Sequence, residues 1–246
     1  MKAMVLAAGL GTRLRPYTDN KPKALVEVGG VPMLELVLKK LVRYGFTEVI
    51  INVHHFADQI IDFLEANKNF GASVSISDET EQLLETGGGL VKAKWFFDDG
   101  KPFLIHNIDI LSNIDLSVLY NYHLANNALA TLAVKKRDTS RSFLVNRNDE
   151  LCGWTNHSTG EVIVSRDSME NSEPIAFSAI HVMNPEIFGY ITETGKFSIT
   201  NTYLRLAKDH TIKVYRHDAD FWLDMGKAEN FDQAKGFITN EYIKAF

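Results

Sequence analysis

The run Leu6-Ala7-Ala8-Gly9-Leu10-Gly11-Thr12-Arg13, with Lys21-Pro22-Lys23 close behind it, decides how this chain folds. Lys2 to Ala7 is short and apolar, as a buried first strand should be, and a glycine loop leaves it. Gly9 and Gly11 lack a Cβ and tolerate positive φ, so a polyanion can come close to their backbone N–H groups. Arg13, Arg15, Lys21 and Lys23 set four cations within eleven residues against Asp19 alone, in a chain of net charge −5. That local reversal of sign suits a triphosphate. Leu14 stands where a dinucleotide fingerprint needs its third glycine, and no G-x-x-x-x-G-K-[ST] P-loop is present.

Outward from the loop, Ala24 to Val28 reads as a short extended piece closed by Gly29-Gly30. Pro32 suits a first helical turn, and Met33, Leu34, Val37, Leu38, Leu41 and Val42 recur at helical spacing as far as Gly45. Val49 to Val53 is a second strand. Phe56, Ile60, Phe63 and Leu64 mark a second helix, and Ser73 to Ser77 a third strand. This β-α-β-α-β order predicts parallel pairing. Gly87 to Gly89 precede a helical Leu90 to Phe96, and a bare helix start suits close approach by a flat ligand such as a base.

Phe103 to Ile108 is an apolar strand leading into Asp109, and the carboxyl ends of such strands are where open α/β sheets bind ligands. Mg²⁺ takes one or two carboxylates together with phosphate oxygens and water, which makes Asp109 the first metal candidate. Ser112, Asn113 and Asp115 offer caps for a helix from Leu116 to Leu124. After Ala128 come shorter strands, one through Leu129 to Val134 and others around Phe143, Trp154 and Ile163, with turn residues between them. Lys135-Lys136-Arg137 and Arg141 are candidates to meet a sugar phosphate, although a charge run is more often a solvated face. Pro174 to Val182 returns as a strand, Pro185 and Ser198 open helices, and Ile212 to Tyr215 is a last strand of this part. Phe231, Ala234, Phe237, Ile238 and Tyr242 recur at helical spacing in a C-terminal segment.

With 246 residues and 45% hydrophobic content, the chain can bury a substantial core as one α/β domain, residues 1–246. Its acidic balance argues against a nucleic-acid-binding face. Cys152 is the single cysteine, so no intrachain disulfide forms. Met1 to Leu10 lacks the apolar core of a signal peptide, and no apolar run is long enough to span a membrane. These features lead to the expectation of a cytoplasmic protein that does not engage membranes. His54 and His55 are adjacent at a strand end and point to opposite faces, so they do not readily share one metal ion. An apolar stripe that faces a second copy reads like one that faces the core, so the oligomeric state is left open.

Gly9-Leu10-Gly11-Thr12-Arg13 followed by Pro22-Lys23 resembles the signature of the nucleotide-sugar pyrophosphorylases, the sugar-1-phosphate nucleotidyltransferases. Glu81 to Leu90, Asn107-Ile108-Asp109, Phe177-Ser178-Ala179-Ile180 and Trp222-Leu223-Asp224-Met225-Gly226-Lys227 resemble its later blocks in the expected order. The chain departs from the pattern at Gln82, where glutamate is usual, at Ile108 and Ala179, where glycine is usual, and at Lys227, where threonine is usual. The resemblance implies a Rossmann-like α/β/α sandwich with a mixed, mainly parallel central sheet, the nucleotide-diphospho-sugar transferase fold. It implies a nucleotide-binding half of about residues 1–127 and a sugar-phosphate half of about residues 128–246.

By the same resemblance, Ala7, Ala8, Gly9, Gly11, Thr12, Arg13, Lys23, Gln82, Thr86 and Gly87 bind the nucleotide, and Asn107, Ala179 and Asp224 face the sugar phosphate. Arg13, Lys23 and Asp109 take the catalytic roles, and Asp109 with Asp224 holds Mg²⁺. The substrates it implies are a nucleoside triphosphate and a sugar 1-phosphate. Within that family, the length and the Leu84-Glu85-Thr86-Gly87-Gly88-Gly89 stretch look most like the members that transfer a uridylyl group to N-acetylmuramate 1-phosphate, so the resemblance implies that reaction. Guanylyl transfer to mannose or heptose 1-phosphate, cytidylyl transfer to phosphocholine, and a non-catalytic nucleotide-sugar sensor are the alternatives.

Overall fold

A computed structural model describes residues 1–166 and 172–238. In chain order the first strands are β1 (Lys2–Leu6), β2 (Glu27–Val28), β3 (Val31–Pro32), β4 (Glu48–Val53), β5 (Ser73–Asp78), β6 (Phe103–Asn107) and β7 (Ile110–Ser112). Then follow β8 (Ala130–Lys135), β9 (Arg141–Val145), β10 (Leu151–Asn156), β11 (Glu161–Val164), β12 (Glu173–Met183), β13 (Ile212–Arg216) and β14 (Trp222–Asp224). The α-helices are α1 (Met33–Arg43), α2 (Ala57–Ala66), α3 (Glu85–Lys92), α4 (Leu116–Asn126), α5 (Ile187–Tyr190), α6 (Ile199–Leu206) and α7 (Phe231–Phe237). Tyr242, expected on the last helix, lies outside the described residues.

The chain forms two compact units whose segments interleave. One takes Met1–Leu83, His106–Ile114 and the chain from Asp220 onward, and the other takes Leu84–Ile105 and Asp115–Ala219. The units therefore do not part at a single point near residue 127. The reason is local: β14 returns to pair antiparallel with β7, setting Asp224 opposite Ile110.

In the first unit β1, β4 and β5 pair parallel, with Ala3 opposite Val49 and Ile50 opposite Ser75, as the β-α-β-α-β order predicts. Met4, Phe46, Ile50 and Ile51 are fully buried there with Leu34, Leu38 and Leu41 of α1. Each such side chain contributes about 1.5–3 kcal/mol of burial. In the second unit the strand order is β11-β10-β9-β12-β8-β13, antiparallel throughout except for β8 with β13. Asp115 caps α4 by accepting the Ser117 and Val118 N–H groups at 2.8 and 3.0 Å. Asp109 is thus not the cap of that helix.

The three glycines correct one expectation. They lie inside α3, not ahead of a helix beginning at Leu90. A Cβ on Gly87 would meet the Phe197 ring at 2.2 Å, and one on Gly88 would meet Gly195 O at 2.2 Å. Close packing against the 195–199 segment explains the absence of side chains, and it outweighs the poor helix propensity of glycine.

Candidate active site

The loop after β1 is held from below by a polar chain that starts in the core. Asn52, at the end of β4, accepts the Ala7 and Ala8 N–H groups at 2.7 and 3.3 Å. Its own amide donates to Glu79 Oε1 at 2.7 Å, and Glu79 is fully buried. With Ala7 and Ala8 so engaged, the loop N–H groups from Gly9 to Arg13, those of Gly9, Gly11 and Thr12 included, have no partner among the described residues. Gly11 sits at φ +65°, and a Cβ there would approach Thr18 Cγ2 at 2.9 Å and Lys23 Cβ at 3.1 Å. Thr18 donates its hydroxyl to Gly11 O at 2.9 Å and so fixes the turn. Gly9 faces open space. A hollow of about 200 Å³ results, lined by Gly9, Gly11, Thr12, Arg13, Lys23 and Gly226 among others.

Three of the four cations lie against carboxylates. Arg15 pairs with Asp19 at 3.6 Å on the surface. Lys23 donates to Asp109 Oδ2, both side chains being largely buried, and Arg13 lies 3.7 Å from Asp224 Oδ2. Asp109 and Asp224 come together because Met225 N donates to Asp109 O at 2.7 Å at the end of the β7–β14 ladder. Lys40 of α1, itself buried, braces that ladder by donating to Ser112 O and Oγ at 2.8 Å each.

Gly226 shows how tightly these groups converge. A Cβ there would stand 2.7 Å from Arg13 Nη2, 2.8 Å from Asp224 Oδ1 and 3.1 Å from Asp109 Oδ2. The bare glycine leaves a cradle between two carboxylates. Among the described residues, no group of three or more His, Cys, Asp or Glu is arranged to hold a metal ion. Two carboxylates to be completed by phosphate oxygens and water is the donor set that suits Mg²⁺, so the residues fit that ion.

The remaining predicted residues divide between the units. Asn107 ends β6, and Gln82 is exposed in the first unit. Ile108, in place of the usual glycine, is buried and donates its N–H to Leu6 O at 3.1 Å, so its side chain fills core. Lys227 is exposed and lies 3.7 Å from Glu229. In the second unit, Thr86 Oγ1 accepts the Ile199 N–H at 3.0 Å, and Gly87 N donates to Phe197 O at 2.9 Å. Ala179 adopts φ +57°, the conformation that the family's glycine prefers, within an irregularity of the β8–β12 register. Of the basic run, Lys135 is turned to Asp218 O and Lys136 lies 3.7 Å from Glu173.

Sequence reasoning missed Asn52, Glu79, Thr18 and Lys40. Asn52, Thr18 and Lys40 hold backbone groups of the site and Glu79 holds Asn52, and no spacing pattern announces such contacts.

The glycine loop of this α/β scaffold is distinct from the dinucleotide and P-loop types, and Arg13, Lys23, Asp109 and Asp224 converge beside it. The chain belongs to the nucleotidyl transferase family, whose model matches residues 2–241. Within it, the chain is an enzyme of the sugar-1-phosphate nucleotidyltransferase class. It is 35% identical over 215 residues to an N-acetylmuramate α-1-phosphate uridylyltransferase of Caulobacter vibrioides, covering 84% of each chain. A protein of the same description from Neisseria meningitidis is 30% identical over 241 residues, covering 96% of this chain and 97% of that one. Among solved structures, a putative glucose-1-phosphate thymidylyltransferase from Bacillus anthracis, in complex with a sucrose, superposes with a TM-score of 0.78. It shares 20% identity, with 98% of this chain and 96% of that one covered, and it shows the common fold. No helix among the described residues is long and apolar enough to cross a membrane.

Proposed function

We propose that this enzyme transfers a uridylyl group from UTP to N-acetylmuramate 1-phosphate and releases pyrophosphate. The observation that carries the reaction type is the convergence of Arg13, Lys23, Asp109 and Asp224 on a glycine-lined hollow around Gly226. The choice of substrates is supported by the two relatives of that activity, at 35% and 30% identity. The cytoplasm, where nucleoside triphosphates are held, is the compartment that this reading implies.

The acceptor phosphate is ionised at neutral pH and needs no general base. One of its oxygens attacks the α-phosphorus in line. The new P–O bond forms as the bond from the α-phosphorus to the bridging oxygen of the β-phosphate breaks, and pyrophosphate leaves with that electron pair. Gly9, Gly11 and Thr12 offer backbone N–H groups to the triphosphate. Arg13 and Lys23 neutralise charge on the transferring and leaving phosphates. Asp109 and Asp224 would hold Mg²⁺, which supplies further charge neutralisation when bound. Lys23 must then share or leave Asp109, which frees its ammonium for a phosphate oxygen. By the family resemblance, Gln82 of the same unit is assigned to the nucleotide and Asn107 to the acceptor.

Gln82 replaces the usual glutamate and leaves room for a second reading, guanylyl transfer to mannose or heptose 1-phosphate. A pyrophosphate-release panel separates the two. UTP, GTP, CTP and dTTP are crossed with N-acetylmuramate, mannose, glucose and heptose 1-phosphates and phosphocholine. The expected result is one preferred pair, UTP with N-acetylmuramate 1-phosphate; preference for GTP with mannose or heptose 1-phosphate would replace it.

A further inference from the structure

A lysine stands on the inner face of α1. Position 40 falls in the buried stripe that Val37 and Leu41 also occupy, and Lys40 is 4% exposed. Its neighbour Lys39 follows the ordinary pattern and pairs with Glu35, one turn away, at 2.8 Å. An apolar side chain would fill position 40 without the cost of taking an ammonium out of water, so the charge there answers a need other than packing. Lys40 Nζ donates to Ser112 O and to Ser112 Oγ at 2.8 Å each, and Ser112 is also buried.

The ladder between β7 and β14 explains why Ser112 takes a donor from outside it. Hydrogen-bonded and non-hydrogen-bonded pairs alternate along antiparallel strands. Asn113 N donates to Phe221 O at 3.3 Å and Met225 N to Asp109 O at 2.7 Å, which marks Asn113 with Phe221 and Asp109 with Met225 as hydrogen-bonded pairs. By alternation Ser112 with Trp222 and Ile110 with Asp224 are non-hydrogen-bonded pairs, so the Ser112 carbonyl turns away from β14. A two-stranded ribbon this short is marginal by itself, yet it sets Asp224 beside Asp109. Lys40 ties the ribbon to a helix whose other buried side chains belong to the core of the same unit.

We propose that Lys40 is a positioning residue that fixes the spacing of the Asp109 and Asp224 carboxylates and so sets the affinity of this site for a divalent cation. The inference rests on the reading above in which those two carboxylates hold Mg²⁺. Lys40 touches neither of them. It acts through Ser112, three residues after Asp109 and opposite Trp222, two residues before Asp224. Divalent-cation affinity depends on groups that orient the ligands as well as on the ligands themselves. A pair of carboxylates carried by separate strands is sensitive to whatever keeps those strands in place.

The test measures Mn²⁺ binding to the enzyme alone, by the paramagnetic resonance signal of the free ion, for wild type, Lys40→Met, Ser112→Ala and Asp109→Asn. Lys40→Met keeps the length of the side chain and removes the ammonium, and it should raise the Kd for Mn²⁺ about tenfold. Ser112→Ala keeps the carbonyl acceptor and should raise it by a smaller factor, which decides the matter if Lys40→Met does not fold by circular dichroism. In pyrophosphate release, the Mg²⁺ concentration for half-maximal rate should rise in the same proportion, while KM for UTP at saturating Mg²⁺ stays unchanged. Folded variants with a lowered melting temperature and the wild-type Kd for Mn²⁺ would overturn the inference and leave Lys40 a structural role. Equal Mn²⁺ binding by wild type and Asp109→Asn would overturn the metal assignment, and the inference with it.

Discussion

Asn52 Oδ1 accepts the backbone N–H of Ala7 at 2.7 Å, and this bond ties the buried end of β4 to the first turn of the glycine loop. Because Ala8 N shares the same oxygen, Asn52→Ala strips the partner from two buried donors. The expected loss is about 1–3 kcal/mol in chemical denaturation. Loosening the loop should also raise KM for the triphosphate roughly tenfold. A destabilised variant with unchanged KM would confine Asn52 to a structural role.

Gly226 is the point at which Arg13, Asp109 and Asp224 face one another. Gly226→Ala sets a methyl group 2.7–3.1 Å from all three side chains. The account expects kcat to fall at least about 100-fold, since misplacement by about an ångström costs that much. The melting temperature should change little, because the displaced groups are side-chain ends. A fully active variant would show that the cradle is not used.

Ala179 occupies a left-handed conformation at φ +57° where the family has glycine. Relief of the steric cost should exceed the entropic cost of glycine, so Ala179→Gly is expected to stabilise the protein by about 0.5–1 kcal/mol. Urea denaturation of both forms measures the difference. A loss of stability would mean that the methyl group packs productively there.

The parallel β1–β4–β5 core was legible because its strands and helices repeat apolar residues at regular periods. Arg13, Lys23, Asp109 and Asp224 were legible as residue types in a known order, though 211 positions separate Arg13 from Asp224. The placement of Gly87 to Gly89 inside α3 was not legible. What crowds Gly87 and Gly88 is Phe197 and Gly195, over one hundred residues away, and local propensity carries no record of such a partner. Ile108 looked like a change at the ligand, yet its side chain turns into the core. One-residue steps along an extended segment reverse the face, and sequence alone leaves that register open.

His181 is fully buried against Tyr203, whose hydroxyl lies 2.6 Å from its Nδ1. Burial pushes the imidazole down to about 3 from its ordinary 6.5. Below pH 6.5 the unfolded chain takes up a proton that the folded one refuses. The stability this group provides is therefore complete above that pH and falls away toward pH 3, at up to about 1.4 kcal/mol per pH unit. Unfolding free energies measured from pH 7 to 4 should show this slope, and His181→Gln should flatten it. Equal slopes in both proteins would assign the acid sensitivity to other groups.

The most direct measurement is pyrophosphate release from UTP and N-acetylmuramate 1-phosphate across a Mg²⁺ titration, for the wild-type enzyme and for Asp109→Asn and Lys23→Ala. The account predicts release that needs Mg²⁺, stops on chelation, and falls at least about 100-fold in either variant with the fold retained. Near-normal turnover in Asp109→Asn or Lys23→Ala, or release indifferent to Mg²⁺, would contradict the assignment of this site.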